Sequence, residues 1–384
     1  MDFVVNADGS VIVLGNTRAS STDDQDIYVA KLNTQAKIVW EVILGESLDD
    51  DAKDIELLSD GSLIILANSE VAVGNNDVLL IKLDQNGVET GRVRQGLTEQ
   101  SSVIARNENA KSITVINSGF VVAGSTSSIP SPAIDKSDYM YMNFLPDLTL
   151  KPNWSNTSGY PGEDEAIKII QKDATTYYVF GSTNRSLSGA LSVNDLNFTI
   201  FGLGADGEPA LQGLYLGSPS QEEKMTGFSD ASNQPFPGYT LSGTAQNAVD
   251  GDIYFVKLRS QLNFSENNGI KPDVLIERPL GLNLGKSALQ KSFNDSPANN
   301  TFFVATEKLN GTSLDILLAK LDSRGNKLFE VTFGSKEGDD FAGKVVELAD
   351  GRILMIGTMT MGGVVDGQKK IAFMKLNSQG KLAP

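Results

Sequence analysis

The chain has 384 residues, 40% hydrophobic and 21% charged, which is ample length and composition for a buried core. Asp and Glu number 48 against 32 Lys and Arg, so the net charge of −16 argues against nucleic acid and anionic membranes as partners. Cysteine and histidine are both absent, which removes disulfides, thiol chemistry, histidine-based catalytic triads and dyads, and zinc sites built on imidazole or thiolate.

Acid–base work in such a chain falls to Asp, Glu, Lys or Tyr, and any metal would be hard and oxygen-bound. No apolar run reaches the roughly 18 residues of a membrane span, so no membrane insertion by this segment is expected. The chain opens inside a predicted strand, Asp2–Phe3–Val4–Val5, with no signal peptide after Met1. A signal or lipid-anchor segment is therefore expected to have been removed from the natural N-terminus.

Taken in order, the elements repeat. A phrase closing an apolar run recurs seven times: L-G-N-T at 14, L-A-N-S at 66, A-G-S-T at 123, F-G-S-T at 180, S-G-T at 242, V-A-T at 304 and I-G-T at 356. A second phrase follows each, starting at Asp26, Asp77, Asp138, Asn197, Asp252, Asp315 and Lys370, at intervals of roughly 50–63 residues. The second unit shows the pattern: strand A-K-D-I-E-L-L-S, turn Asp60-Gly61, strand S-L-I-I-L-A-N, strand D-V-L-L-I-K-L, turn Asp84 to Gly87, strand V-E-T-G-R-V-R. The second and third strands are apolar almost without interruption, which requires burial on both faces. Four-stranded sheets stacked face to face meet that need.

The predicted fold is all-β: a single seven-bladed β-propeller domain over 1–384 with four-stranded antiparallel blades. The repeat units run approximately 1–44, 45–95, 96–158, 159–216, 217–280, 281–333 and 334–384. The seventh stops at K-L-A-P just after Gly380, where a fourth strand should begin. Either the last blade has three strands, or a removed N-terminal segment supplied the fourth.

The stretch D-I-L-L-A-K-L-D-S-R-G-N-K-L-F-E-V-T-F-G-S-K-E-G-D-D-F-A, Asp315 to Ala342, resembles the β-propeller repeat of bacterial secreted and lipoprotein-type proteins (SBBP-like repeats). The resemblance extends over nearly the whole chain. It departs most in blades three to five, where Asn143-Phe144 and Gly202-Leu203 replace Lys-Leu. It implies a secreted or cell-envelope setting and a binding or scaffold role. It carries no catalytic motif, so the expectation leans away from an enzyme.

Carboxylates collect in the links between units. Asp49, Asp50 and Asp51 form a triplet, and Glu163-Asp164, Glu222-Glu223 and Asp339-Asp340 occupy equivalent links, whereas Gln100-Ser101 and Lys286-Ser287 lack acids. The down–up path of a blade places these links on one face, the top, together with the acids that open the third strands. Asp50, Asp51, Glu163, Asp164, Asp339 and Asp340 are the candidate ligand-binding residues. Asp49, Asp50 and Asp51 are the candidates for Ca²⁺, the one cofactor considered. The leading reading of the repeated pairs is structural, as hydrogen-bonded turns. No D-x-[DN]-x-[DN]-G loop accompanies them.

Gly202 to Gly207 matches G-x-G-x-x-G, but Pro209 follows where a dinucleotide site needs a helix. Gly281 to Ser287 is one residue short of a phosphate loop. Trp40 and Trp154 are placed on fourth strands, packing on the neighbouring blade, with sugar stacking by Trp154 beside Tyr160 as a minor alternative. The loops Thr126–Ser137 and Thr183–Asn194 are the most individual surfaces. The expected function is a non-catalytic binding or scaffold propeller whose partner, a protein or polysaccharide at the cell surface, meets the acidic face. The alternatives are a carbohydrate-active hydrolase or lyase using carboxylate pairs, and a purely structural domain of a larger surface protein.

Overall fold

The computed structural model describes residues 1–20, 22–97, 106–128, 136–184, 196–217, 221–230, 237–246, 251–264, 273–282, 284, 291–296, 301–336, 338–361 and 368–383. Among these residues there is no helix, and the strands form seven antiparallel sheets whose neighbours follow chain order. Blade 1 comprises Asp2–Val5, Val11–Thr17, Asp26–Leu32 and Ile38–Leu44. Blade 2 comprises Asp50–Leu57, Leu63–Ala72, Asn75–Leu83 and Glu89–Gln95. Blade 3 comprises Arg106–Ile116, Gly119–Ser128, Asp138–Phe144 and the two-residue Thr157–Ser158. Blade 4 comprises Asp164–Gln171, Tyr177–Thr183, Asn197–Leu203 and Pro209–Leu216. Blade 5 comprises Glu222–Asp230, Tyr239–Gln246, Gly251–Leu258 and Val274–Pro279. Blade 6 comprises Lys291–Ser296, Thr301–Asn310, Ser313–Leu321 and Lys327–Phe333. Blade 7 has three strands, Phe341–Glu347, Ile353–Thr360 and Lys369–Leu376. The fold is a seven-bladed β-propeller with a three-stranded last blade.

The chain divides into two compact units, one of Met1–Val193 with Ile200–Gly213 and one of Asn194–Thr199 with Leu214–Pro384. In the first, the cores lie between successive blades. Leu63, Ile65, Leu79 and Ile81 face blade 1, while Ile64, Leu66, Val78 and Leu80 face blade 3. All eight are fully buried, which is why these strands read as unbroken apolar runs. Each such side chain stabilises by roughly 1.5–3 kcal/mol. In the second unit the same arrangement joins blades 5 and 6 and blades 6 and 7. The outermost strand Ile38–Leu44 alternates instead, because only one of its faces is covered.

The recurring second-strand phrase ties one blade to the next. Asn16 Oδ1 accepts the N–H of Ala52 at 2.9 Å, and its amide donates to Asp51 Oδ1 at 2.7 Å. Asn68 Oδ1 accepts the N–H of Ala110 at 2.8 Å one blade further on. In the second unit Glu307 does the same for the N–H of Ala342 at 2.9 Å. These bonds satisfy backbone donors at the start of an innermost strand, where a buried orphan would cost on the order of 1–3 kcal/mol.

The turn before the fourth strand meets the preceding blade in blades 2, 3, 4 and 6. Gly87, at φ +82°, lies beneath the Trp40 ring with no room for a Cβ, and Trp40 Nε1 donates to Gln85 O at 3.2 Å. Gly207 lies beneath Trp154 in the same way. Blade 3 inverts the sizes: its turn carries Leu148 at φ +69°, and blade 2 offers Gly91, whose Cβ position is 3.6 Å from the leucine. Trp154 is buried, donates to Tyr141 O at 2.9 Å and meets Tyr177 edge-on, so it lies ahead of the short fourth strand rather than on it and has no face for a sugar.

Candidate functional site

The acidic links are built from one local pattern. Each opens with a glycine just after a fourth strand and closes with a carboxylate at the head of the next blade. A Cβ on Gly45 would overlap Asp26 Oδ1, and one on Gly159 would overlap Asp138 Oδ1. In the second unit Gly334 stands in the same relation to Asp315. The acid opening each third strand therefore rests on the link glycine of its own blade. At the fifth blade the carboxylate holds the link directly, Asp252 accepting the N–H groups of Gly281 at 2.6 Å and Leu282 at 2.9 Å.

Within the triplet the three side chains part company. Asp49 accepts the N–H of Gln25 at 2.7 Å and pairs with Arg18 at 2.7 Å. Asp50 is wholly buried and accepts the N–H of Glu46 at 2.6 Å, while its own N–H donates to Gln25 O at 2.6 Å. Asp51 takes Asn16 on one oxygen and Lys53 on the other. Burial is the chief cause that raises the Asp50 pKa, with the nearby Ser69 hydroxyl and the Glu46 N–H opposing it.

The pattern returns in the other links. Asp164 is wholly buried and accepts the N–H of Tyr160 at 2.6 Å, and its own N–H donates to Ser137 O at 3.0 Å. Its neighbour Glu163 is half-buried, and its backbone carbonyl accepts the N–H of Asn184 at 3.1 Å. In the second unit Asp340 is wholly buried, accepts the N–H groups of Ser335 and, at 2.7 Å, of Thr360. Asp339 is exposed and accepts the N–H of Leu314 at 2.9 Å, as Asp49 does that of Gln25. Glu223 likewise is buried, its N–H donating to Leu196 O at 2.8 Å. The carboxylates of Asp50, Asp164 and Asp340 each tie a turn, and the residue before each lies at its rim.

Two features were not singled out from sequence. The link from blade 2 to blade 3 carries its acid after all, at Glu108 rather than at Gln100-Ser101. Glu108 is wholly buried, accepts the Thr126 hydroxyl at 3.0 Å, and is pushed up to about 8, chiefly by burial. Beside it Arg106 donates to the Thr126 hydroxyl at 3.1 Å and pairs with Asp138 at 2.6 Å. A link several residues longer than its counterparts displaced this acid from the expected spacing, although its place opposite the last residue of the A-G-S-T phrase, Thr126, matches that of Asp164 opposite Thr183. The second feature is on the innermost strands. Asp54 accepts the N–H groups of Ile55 and Ile113, each at 2.9 Å, and lies against Asp2. Burial raises the Asp54 pKa despite the Lys168 charge nearby.

Among the described residues no group of three or more acidic side chains is arranged to hold a metal ion. Gly202–Gly207 forms a turn between the third and fourth strands of blade 4, which is not the strand–helix setting of a dinucleotide site. Gln100-Ser101, Lys286-Ser287, most of Gly281–Ser287 beyond Leu282, and the centres of the loops Thr126–Ser137 and Thr183–Asn194 lie outside the described residues.

No family model matches the chain, and no curated protein matches it. Solved structures do. The β-propeller domain of the trilobed protease from Pyrococcus furiosus, described as having an open velcro topology, matches at a TM-score of 0.51 and 8% identity, over 100% of this chain and 94% of that one. A protein of unknown function from Dyadobacter fermentans matches at 0.51 and 10% identity, over 98% of this chain and 93% of that one. At such identities the likeness is one of architecture, and the architecture shared is the β-propeller.

Proposed function

We propose that the chain is a non-catalytic binding or scaffold propeller of a secreted or cell-envelope protein, whose partner meets the face that carries the acidic links. The observation that carries this reading is the division of labour within each pair. Asp50, Asp164 and Asp340 are buried and hold backbone N–H groups, so they are withdrawn from a substrate. Asp49, Glu163 and Asp339, the residues just before them, stay at the rim. Acids at the rims of the links attract a basic protein segment or an amine-bearing polysaccharide, through contacts that salt weakens.

The experiment titrates the protein with an oligolysine peptide and with chitosan fragments at low and physiological salt. Binding without turnover is expected. It should weaken in the triple variant Asp49→Lys, Glu163→Lys, Asp339→Lys more than in a control with Glu41→Lys, Glu89→Lys, Glu330→Lys, which changes the net charge equally on fourth strands. Equal loss in the two triple variants would remove the linking face from the account, and release of sugar products would replace it with an enzyme.

A further inference from the structure

The chain contains three Asn-Gly pairs, Asn86-Gly87, Asn268-Gly269 and Asn310-Gly311. A glycine after asparagine opens the next backbone nitrogen to the side-chain amide, because it has no Cβ and a permissive backbone. Asn268-Gly269 lies outside the described residues, and the structure treats the other two pairs in opposite ways. Asn86 belongs to the turn before the fourth strand of blade 2. Its amide donates to Asp84 Oδ2 at 3.3 Å, and the N–H of Gly87 donates to Asp84 O at 3.1 Å. Gly87 also lies beneath the Trp40 ring, where a Cβ would meet the indole at 2.8 Å. Bringing Gly87 N onto the Asn86 side chain would unseat a turn that joins two blades.

Asn310 stands at the tip of the hairpin between the second and third strands of blade 6. Gly311 and Thr312 form its two-residue loop, with Gly311 at φ +65°. The last ladder pair is Asn310 with Ser313, so the Gly311 N–H lies outside the ladder. Asn310, Gly311 and Thr312 are exposed, and apart from its chain neighbours nothing lies within 4 Å of the place a Gly311 Cβ would take. The Asn310 amide donates to Asp315 Oδ2 at 2.7 Å. Turning it towards Gly311 breaks that bond and leaves the ladder whole.

We propose that Asn310 is a site of spontaneous covalent modification, at which the folded chain converts its own asparagine to aspartate and isoaspartate. Gly311 N attacks Asn310 Cγ. The N–Cγ bond forms, the Cγ–Nδ2 bond breaks, and the proton of the Gly311 amide leaves with Nδ2 as ammonia. Water then opens the cyclic imide at either carbonyl, and no oxidant or reductant takes part. The product carries a carboxylate where Asn310 had a donor. That carboxylate faces Asp315, which itself lies against the link glycine Gly334. Next to Asp315, Leu314 gives its N–H to Asp339 at 2.9 Å, and its carbonyl accepts the N–H of Asp340 at 2.8 Å. The reaction therefore alters charge and hydrogen bonding beside an acidic link. Each event is irreversible, so the converted fraction records the age of the molecule.

The test incubates the whole chain in mildly alkaline buffer, folded and in urea, and follows Asn310 and Asn86 by peptide mapping. In the folded protein Asn310 should convert roughly tenfold faster than Asn86, because Asn86 must wait for local opening. In urea the two rates should converge. Isoaspartate should accompany aspartate at position 310, as opening of an imide at either carbonyl requires. No conversion of Asn310 in the folded protein, a rate equal to that of Asn86, or aspartate without isoaspartate would each overturn the proposal. Asn310→Asp and Asn310→Ala test the consequence, since both lose the amide bond to Asp315 and only the first adds charge. Amide exchange over residues 311–315 should be several-fold faster in Asn310→Asp. Equal exchange in the two variants would show that the new carboxylate does not act on Asp315, and would strike the effect on the link from the proposal.

Discussion

Asp26 and Gly45 share one space: the carboxylate of the first fills the place where the second would carry a Cβ. Replacing Gly45 with Ala should therefore destabilise the fold by about 1–3 kcal/mol through overpacking rather than through backbone strain. Asp26→Gly alone should cost less, and the double variant should recover much of the loss. Urea unfolding of the four proteins gives the coupling energy, and additive effects would show that the contact is not what confines the glycine.

Buried carboxyls give the chain a pH dependence of definite sign. Glu108 is raised from 4.5 to about 8 and Asp164 from 3.8 to about 6, both chiefly by burial. Between its unfolded and folded pKa each group holds more proton in the folded state, so stability falls as pH rises. The slope reaches about 1.4 kcal/mol per pH unit for each group. Urea midpoints should decline from about pH 4–5 to about pH 8. Glu108→Gln should flatten chiefly the upper part of that decline, and Asp164→Asn the lower part. A wild-type profile that rises across this window would contradict the burial of these groups.

Arg106 bridges the Thr126 hydroxyl and Asp138 with little exposure of its own. Arg106→Ala leaves Asp138 facing a link glycine without its cation. A loss on the order of 3 kcal/mol is expected, larger than that of an exposed ion pair. Arg106→Lys should restore only part of it, because one ammonium replaces a fork that serves two partners. Thermal unfolding of the two variants distinguishes a positioned guanidinium from a general charge effect.

Calcium should have little effect on the triplet. Asp49, Asp50 and Asp51 point to Arg18, Glu46 N–H and Lys53, respectively, rather than toward one centre. Unfolding midpoints in excess chelator and in millimolar Ca²⁺ are expected to agree. A hundredfold excess over Kd would stabilise by about 2.7 kcal/mol, so a clear upward shift would show that the links rearrange around an ion.

The blades were legible because burial on both faces leaves an unbroken apolar signal, as in Leu63–Ala67, and because seven copies restate it. The short last blade was legible as one of two alternatives from the end of the pattern after Gly380. Which carboxylate of a pair is buried was not legible. Asp50 and Asp51 are the same residue type in adjacent positions, and strand alternation decides between them. Glu108 escaped because a longer link moved it away from the expected spacing. The role of Asn16 was hidden for another reason: its partners, Ala52 N–H and Asp51, belong to the next repeat and come close only when blades stack.

The turns beneath Trp40 and opposite Gly91 bear on how such a chain can be rearranged. Trp40 is matched to Gly87, and Gly91 to Leu148, so the bulky partner sits in the earlier blade at one junction and in the later blade at the next. Exchanging blades 2 and 3 would set an indole against a leucine. The repeats share a pattern of strands, yet they are not interchangeable parts: their serial order is written in which member of each turn contact is large and which is small.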